Sequence, residues 1–444
     1  MNEYTATSEL IRDGAEQRLH LATGLARTPR GLTADTTFFS GFVDRPDIAA
    51  AGLLAVADVA ASRYADAGLA QRVANLDPVV TAGGDRLRFE SFSGCGGVHA
   101  RFDLLRDGLG SSEVGFGTTN VDVNQSLRTA LARVERAERL HLAVGPDELR
   151  ASTPAVTHVE RKVQLPDRWV RGFAEVGTLL SAMSPIGTLR GPEIAAFLGH
   201  LPRVAPPGPD LHVLPHPSGW RTSTRALRGS VPLSGVSRLR GADRVLRHAD
   251  QLTLHVHDSG TTAWVFDLPG ARLTLVVSPG PFRGFSGEGT LLTYLTHGAA
   301  PEIGRHLLAV LGWDPVIDPD ALASRVGLSG PEVRVGLAWL AASGRVGYDT
   351  AEQSWFHREL PVDSDKVLSR NPRLTAARRL VEKGGVATGS GPSQRLVVGG
   401  RGNHYTVTAE TDRLRCTCPW ETERTGGRGP CKHVLAVLIT LRTA

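Results

Sequence analysis

Cysteine, lysine and long apolar runs are what this chain has least of. Four cysteines among 444 residues cannot build a disulfide framework, and thiols kept free suit a reducing compartment. No apolar run approaches the roughly 18 to 20 residues that a membrane helix needs, so no membrane partner is expected. The opening segment, MNEYTATSELIRDGAEQRLHLATG, lacks the basic start and apolar centre of a secretory signal, and a cytoplasmic location is expected. Lysine occurs only at Lys162, Lys366, Lys383 and Lys432, so arginine carries nearly all the positive charge. That bias fits a GC-rich coding sequence and is given no functional meaning. Hydrophobic residues at 41% and charged residues at 21% are those of a globular protein, and a chain this long divides into several domains.

The charge that is there sits unevenly. Residues 303–365 hold 5 basic and 9 acidic residues, a net of −4, whereas 366–444 hold 14 basic and 5 acidic, a net of +9. The whole chain carries +5, so the first 302 residues sum to zero.

Apolar spacing sets the coarse organisation. Alanine and leucine at helical spacing predict a helix over 47–68. Two alternating runs around a glycine-rich turn predict a hairpin over 86–105, and a helix is expected over 124–140 with strands near 155–165. The prolines of PRVAPPGPD, 202–210, cannot continue a helix or a central strand and mark a linker. Residues 251–279 alternate over three runs, as a meander does. From 303 short helices take over, with Asp318 before Pro319 and Ser329 before Pro331 as caps ahead of helix-opening prolines. Two short strands, RVGYD and SWFHREL, follow. This order of helices and ribbon resembles the winged-helix family. A DNA-reading third helix would be rich in exposed polar residues, yet GPEVRVGLAWLAASG offers only Glu332 and Arg334 in a net-negative region. Protein contact or spacing is therefore its expected role.

Three of the four cysteines lie within sixteen residues of one another near the C-terminus. Cys416 and Cys418 are two apart on a predicted strand and so share a face, while Cys431 and His433 open the helix KHVLAVLITL. Three thiolates and an imidazole make a closed tetrahedral set that suits one structural Zn²⁺, with no open position for a catalytic water. The helix start favours the Cys431 thiolate, and Arg415, Arg424, Arg428 and Lys432 offset the site's net negative charge. Cys-x-Cys, a spacer and Cys-x-His, preceded by the strands QRLVVGG and HYTVTAE and followed by an apolar helix, resembles the SWIM zinc finger over about fifty residues. That resemblance implies zinc and binding to DNA or protein, not catalysis. The rest of the chain, with FFSGFVDRPDIAAAGLLAVADVAASRY and RGFSGEGTLL, is similar to bacterial proteins that carry a C-terminal SWIM finger. Such proteins resemble components encoded beside MoxR-type AAA+ ATPases and von Willebrand factor A proteins, which implies those two as partners.

Other candidates compete with blander readings. The glycine-rich GPFRGFSGEGTLLTYL, 280–295, has N–H groups that could cradle a phosphate but lacks the Lys-Ser/Thr ending of a P-loop, so it reads as a turn feeding a helix. His255 and His257, with Asp258, lack a third ligand, and Cys95 in SGCGG has no identifiable base. In the tail, Arg378, Arg379, Arg413, Arg415, Arg424, Arg428 and Lys432, with Trp420 for stacking, form a candidate surface for nucleic acid or an acidic protein.

The expected fold is a multidomain α+β protein: a mixed N-terminal region over 1–201, a linker over 202–210, a β-rich middle over 211–302, a winged-helix-like domain over 303–365, and a basic helix with a small zinc-stabilised ββα finger over 366–444. The expected function is macromolecular interaction through the finger, as an adaptor or protein-binding module. Nucleic-acid binding through the basic tail is the first alternative, and an enzyme with its site in the β-rich middle the second.

Overall fold

The computed structural model describes residues 8–14, 16–21, 23, 26–33, 37–64, 78–121, 123–144, 165, 167–204, 211–216, 219–280, 284–286, 289–363, 366–367, 369–391, 393–398, 403–411, 413–424 and 429–443. Strands predicted near 155–165 lie outside the described residues apart from position 165.

A ten-stranded sheet organises the first three hundred residues. In spatial order its strands are Ser184–Arg190, Gln251–Val256, Thr262–Leu268, Ala271–Val277, Val98–Leu104, Leu87–Phe92, Val79–Gly83, Phe116–Asn120, Ala26–Thr28 and Gly31–Thr33. The hairpin and the meander read from the sequence are both present, and they join directly, since Ala271–Val277 pairs with Val98–Leu104. Strands from both sides of the proline-rich 202–210 segment thus lie in one sheet. A four-stranded sheet (Glu9–Asp13, Glu16–Leu21, Arg139–Val144, Phe39–Val43) and a three-stranded one (Gly219–Ser223, Leu211–His216, Val231–Leu233) share its core through Leu19, Leu142, Val213 and Leu233.

Helix α1 (Pro46–Ala61) is apolar on nearly every side and is buried on nearly every side, as such a helix must be. It covers the sheet face made by Leu87, Phe89, Ala100, Phe102, Leu273 and Leu275. Gly52 permits this approach, because a Cβ there would stand 2.1 Å from the Phe102 ring. The helix expected over 124–140 is only α2 (Gln125–Leu131), capped by Asn124, whose side chain accepts from Leu127 N at 2.9 Å. Beyond it Leu140, Leu142 and Val144 alternate into the core and pair in parallel with Glu16–Leu21, so the period of two claims the segment for a sheet.

Strand alternation turns Arg88, Glu90, His99, Arg101 and Asp103 to the opposite face, where all are buried. That face is covered by α3 (Asp167–Leu180) and by the hairpin Val346–Asp349 and Ser354–His357. Arg101 pairs with Asp103 and with Asp349, each at 2.9 Å, while Arg358 binds Glu90 and Arg88 stacks on Phe356 at 4.0 Å. Charges this deep hold only as a paired set.

After α4 (Pro192–Gly199) and the meander, a run of helices follows: α5 (Leu291–Tyr294), α6 (Ala300–Val310), α7 (Pro319–Val326) and α8 (Gly330–Ala342). Asp318 caps α7, accepting from Asp320 N and Ala321 N at 2.8 and 2.9 Å, and Ser329 with Glu332 forms a capping box on α8. Helix α8 packs against α3 and α6, with Val333, Val335, Leu337, Leu340 and Ala341 buried. The last helices are α9 (Pro372–Glu382), α10 (Pro419–Arg424) and α11 (Lys432–Thr443), and α9 packs along α11.

Candidate metal centre

Four antiparallel strands, Val386–Thr388, Gln394–Val398, His404–Ala409 and Leu414–Cys416, form a small sheet against α11. Cys416 ends the last strand. Cys418 does not continue it, contrary to the expected shared strand face; its carbonyl accepts from Glu421 N and Thr422 N at 3.0 and 3.1 Å, so it stands at the start of α10. Pro419 forces this change, since it has no N–H to extend the ladder and suits a first helical turn. Cys431 precedes α11, where its carbonyl accepts from Leu435 N at 3.0 Å and its Sγ accepts from Val434 N at 3.4 Å.

Strand end, helix start and helix start bring Cys416, Cys418, Cys431 and His433 together, all buried, with donor atoms within 4.8 Å of one another. The His433 Nδ1 faces the sulfurs, 3.7 Å from Cys416 and 3.9 Å from Cys431. A zinc tetrahedron with arms of about 2.3 Å has edges of about 3.8 Å, so the spacing fits the ion. Without metal, the thiols compete for protons. The hydrogen bond from Cys416 pulls the Cys431 thiol down to about 4, while that same contact, then burial, pushes Cys416 up. Burial likewise raises Cys418. One thiolate is ready, and the cation supplies what the other two need to ionise.

A groove of about 440 Å³ opens on the wall of this centre. Trp420 and Tyr405 line it, with Arg373, Lys432 and Asn403 among the polar residues. Arg373 lies over the Trp420 ring at 4.0 Å and donates to the Pro430 carbonyl at 3.1 Å. The Tyr405 ring packs on His433 with centroids 4.7 Å apart. Each aromatic thus already has an intramolecular ring partner.

The other predicted surface residues divide. Trp420 and Lys432 reach the groove. Arg413 and Arg415 both turn to Glu410, at 3.7 and 2.7 Å. Arg378 and Arg379 lie on α9, half-buried and exposed. Arg424 ends α10 with its side chain outside what is described, and Arg428 lies outside the described residues. Arg370 is spent on Asp167 of α3 at 2.8 Å, a partnership no sequence spacing announces. The sequence reading missed Asn403, which carries no motif.

Elsewhere, the glycine-rich segment cradles an anion of the chain's own: the N–H groups of Gly289, Thr290 and Leu291 point at the buried Glu175 carboxylate. Among the described residues only the Cys416 cluster gathers three or more potential metal ligands, so His255 and His257 do not form one. Cys95 is buried, with its Sγ 3.4 Å from Ser93 Oγ.

The family model of the SWIM zinc finger matches residues 405–442. No curated protein matches the chain. Among solved structures, proliferating cellular nuclear antigen from Entamoeba histolytica aligns at 10% identity over 55% of this chain and 100% of its own, with a TM-score of 0.31. That similarity is too slight to assign a fold. The C-terminal segment, by contrast, is a SWIM zinc finger that holds a structural zinc ion on Cys416, Cys418, Cys431 and His433.

Proposed function

We propose that this is a non-catalytic interaction protein whose SWIM finger binds a protein partner through the groove beside the zinc. The observation that carries this reading is the state of the groove's aromatics. Base stacking needs open ring faces, and here each ring already has one neighbour, Arg373 on Trp420 and His433 on Tyr405, which leaves less ring surface for bases. An arginine on a tryptophan in a mostly apolar groove is the composition of a protein hot spot. Internal pairing also engages three of the tail's arginines, Arg370 with Asp167 and Arg413 and Arg415 with Glu410. The helices from α6 to α8 and the hairpin after them act as a winged-helix spacer, since the third helix is buried against α3 and has no face for a DNA groove.

A MoxR-type AAA+ ATPase and a von Willebrand factor A protein are the partners to test first, on the resemblance of the whole chain. The experiment is capture of purified candidates by the full protein and by its Trp420→Ala and Arg373→Ala variants. Loss of capture by about tenfold or more in both variants is expected. The competing reading, a nucleic-acid binder, draws on Arg373 and Lys432 in the same groove. Retention on DNA that falls steeply above about 50 mM salt, with no protein captured, would replace the protein reading with that one.

A further inference from the structure

Far from the finger in the chain, three turns meet around a second concavity. The first residues of α1, the 132–136 turn and the short turn Leu246–His248 enclose a cleft of about 530 Å³. Four guanidiniums line it, those of Arg45, Arg133, Arg136 and Arg247, together with His248.

Two carboxylates, Asp47 and Glu135, share this wall, and Asp47 is already engaged. Arg45 grips Asp47 with both arms, Nε to Oδ1 at 3.0 Å and Nη2 to Oδ2 at 2.8 Å. His248 Nδ1 approaches the same carboxylate at 3.7 Å. Arg247 donates from Nε to His248 Nε2 at 2.9 Å, so that nitrogen is an acceptor and the ring is neutral with its proton on Nδ1. Burial lowers the His248 pKa, and the Arg247, Arg45 and Arg136 charges lower it further, against Asp47. With His248 neutral, the lining as a whole carries four guanidiniums against two carboxylates. At its mouth, the Arg133 and Arg136 guanidiniums make no hydrogen bond or ion pair among the described residues. This is unlike Arg86, Arg88, Arg101, Arg128 and Arg272, each of which lies within 4 Å of a carboxylate.

We propose that this cleft binds a phosphorylated small molecule carrying at least two phosphate charges. Guanidinium forks match phosphate oxygens in pairs, and the cleft lies in the size range of small-ligand sites, about 300 to 1,000 Å³. The Arg45–Asp47–His248 chain fixes the floor, and Arg133, Arg136 and Arg247 close on the anion. This site is independent of the finger and of any partner held there.

The test is calorimetric titration of the full zinc-loaded chain with inorganic pyrophosphate at about 50 mM salt. Zinc content is measured afterwards, because pyrophosphate can compete for metal. Saturable binding is expected, weakened by at least about tenfold in Arg136→Ala with Arg247→Ala and unchanged in Arg221→Ala, which lies outside the cleft. Arg136→Lys with Arg247→Lys is expected to bind more tightly than the alanine pair and more weakly than the wild type, which separates lost charge from lost fold. Absence of binding at millimolar pyrophosphate, or equal binding by the wild type and the alanine pair, overturns the proposal.

Discussion

Glu175 is a carboxylate that the fold holds in an unfavourable place for its charge. Burial raises its pKa to about 7, although the N–H groups of Gly289, Leu291 and Thr290 pull the other way. A raised acid in the folded state means that the native protein binds the proton more tightly than the unfolded chain does. The penalty is therefore absent below the ordinary range near 4.5, grows as pH rises, and is complete above about 7. Glu175→Gln is expected to melt higher than the wild type at pH 8, by up to about 3 kcal/mol, and to match it near pH 4.5. Thermal melts at the two pH values check this; an equal gap at both would mean that shape, not charge, sets the difference. Gly289 belongs to the same contact. A Cβ there would stand 1.9 Å from Glu175 Oε1, so Gly289→Ala is expected to expel the carboxylate and lower the melting temperature. None of this was visible in the sequence, where Glu175 looks like one more acid on a helix and 289 like one more glycine of a turn.

Among elements, the finger was the most legible. Four ligands, two strands and a helix follow from short spacings, and short spacings are what a sequence shows directly. Less legible was the break after Cys416, where Pro419 ends the ladder and opens α10. Cys416→Ser or Cys431→Ser is expected to release the zinc and unfold the small sheet, with elemental analysis reading the loss; one equivalent retained in both would refute the ligand set. The hairpin from Val346 to His357 was legible as strands but not as a lid. Its meaning lies in Asp349 and Arg358, whose partners Arg101 and Glu90 are some 250 residues away in the chain and carry no pattern. Buried arginine and aspartate at alternating strand positions read as a solvated sheet face until that lid is placed. Burial pushes Glu90 up, but Arg358 and His99 outweigh it and hold it at about 2. A depressed acid stabilises the fold above its ordinary range near 4.5, and that stability is lost as pH falls toward 2. Glu90→Gln, which leaves Arg358 buried and unpaired, is expected to cost about 3 to 5 kcal/mol at neutral pH. The difference from the wild type should shrink toward pH 2, as denaturant midpoints across that range would read.

At the scale of the whole molecule, the layers are tied by a few shared members. The sheet lies between α1 and α3, and α3 in turn meets α8 and the hairpin. The ten-stranded sheet draws strands from both sides of the proline-rich 202–210 segment, and composition carries no sign of which strands later pair. Helix α11 is the other shared member. Cys431 and His433 at its start belong to the metal centre, whereas Leu435 and Ala436, one turn on, are fully buried in the same cluster as Leu337 of α8 and Leu374 of α9. Arg442 at its far end donates to the Thr293 carbonyl of α5 and to Thr296. One helix thus has its first turn in the metal shell and its middle in the helical core. Binding a ligand to the folded state stabilises that state by mass action, and here the stabilised unit extends past the finger. Chelation is expected to lower the melting of the helical layer while the transition of the ten-stranded sheet stays put, as hydrogen exchange on α8 and α9 against Val98–Leu104 would resolve. The ambient level of free zinc then acts on this protein as temperature does, setting how firmly its second half is assembled.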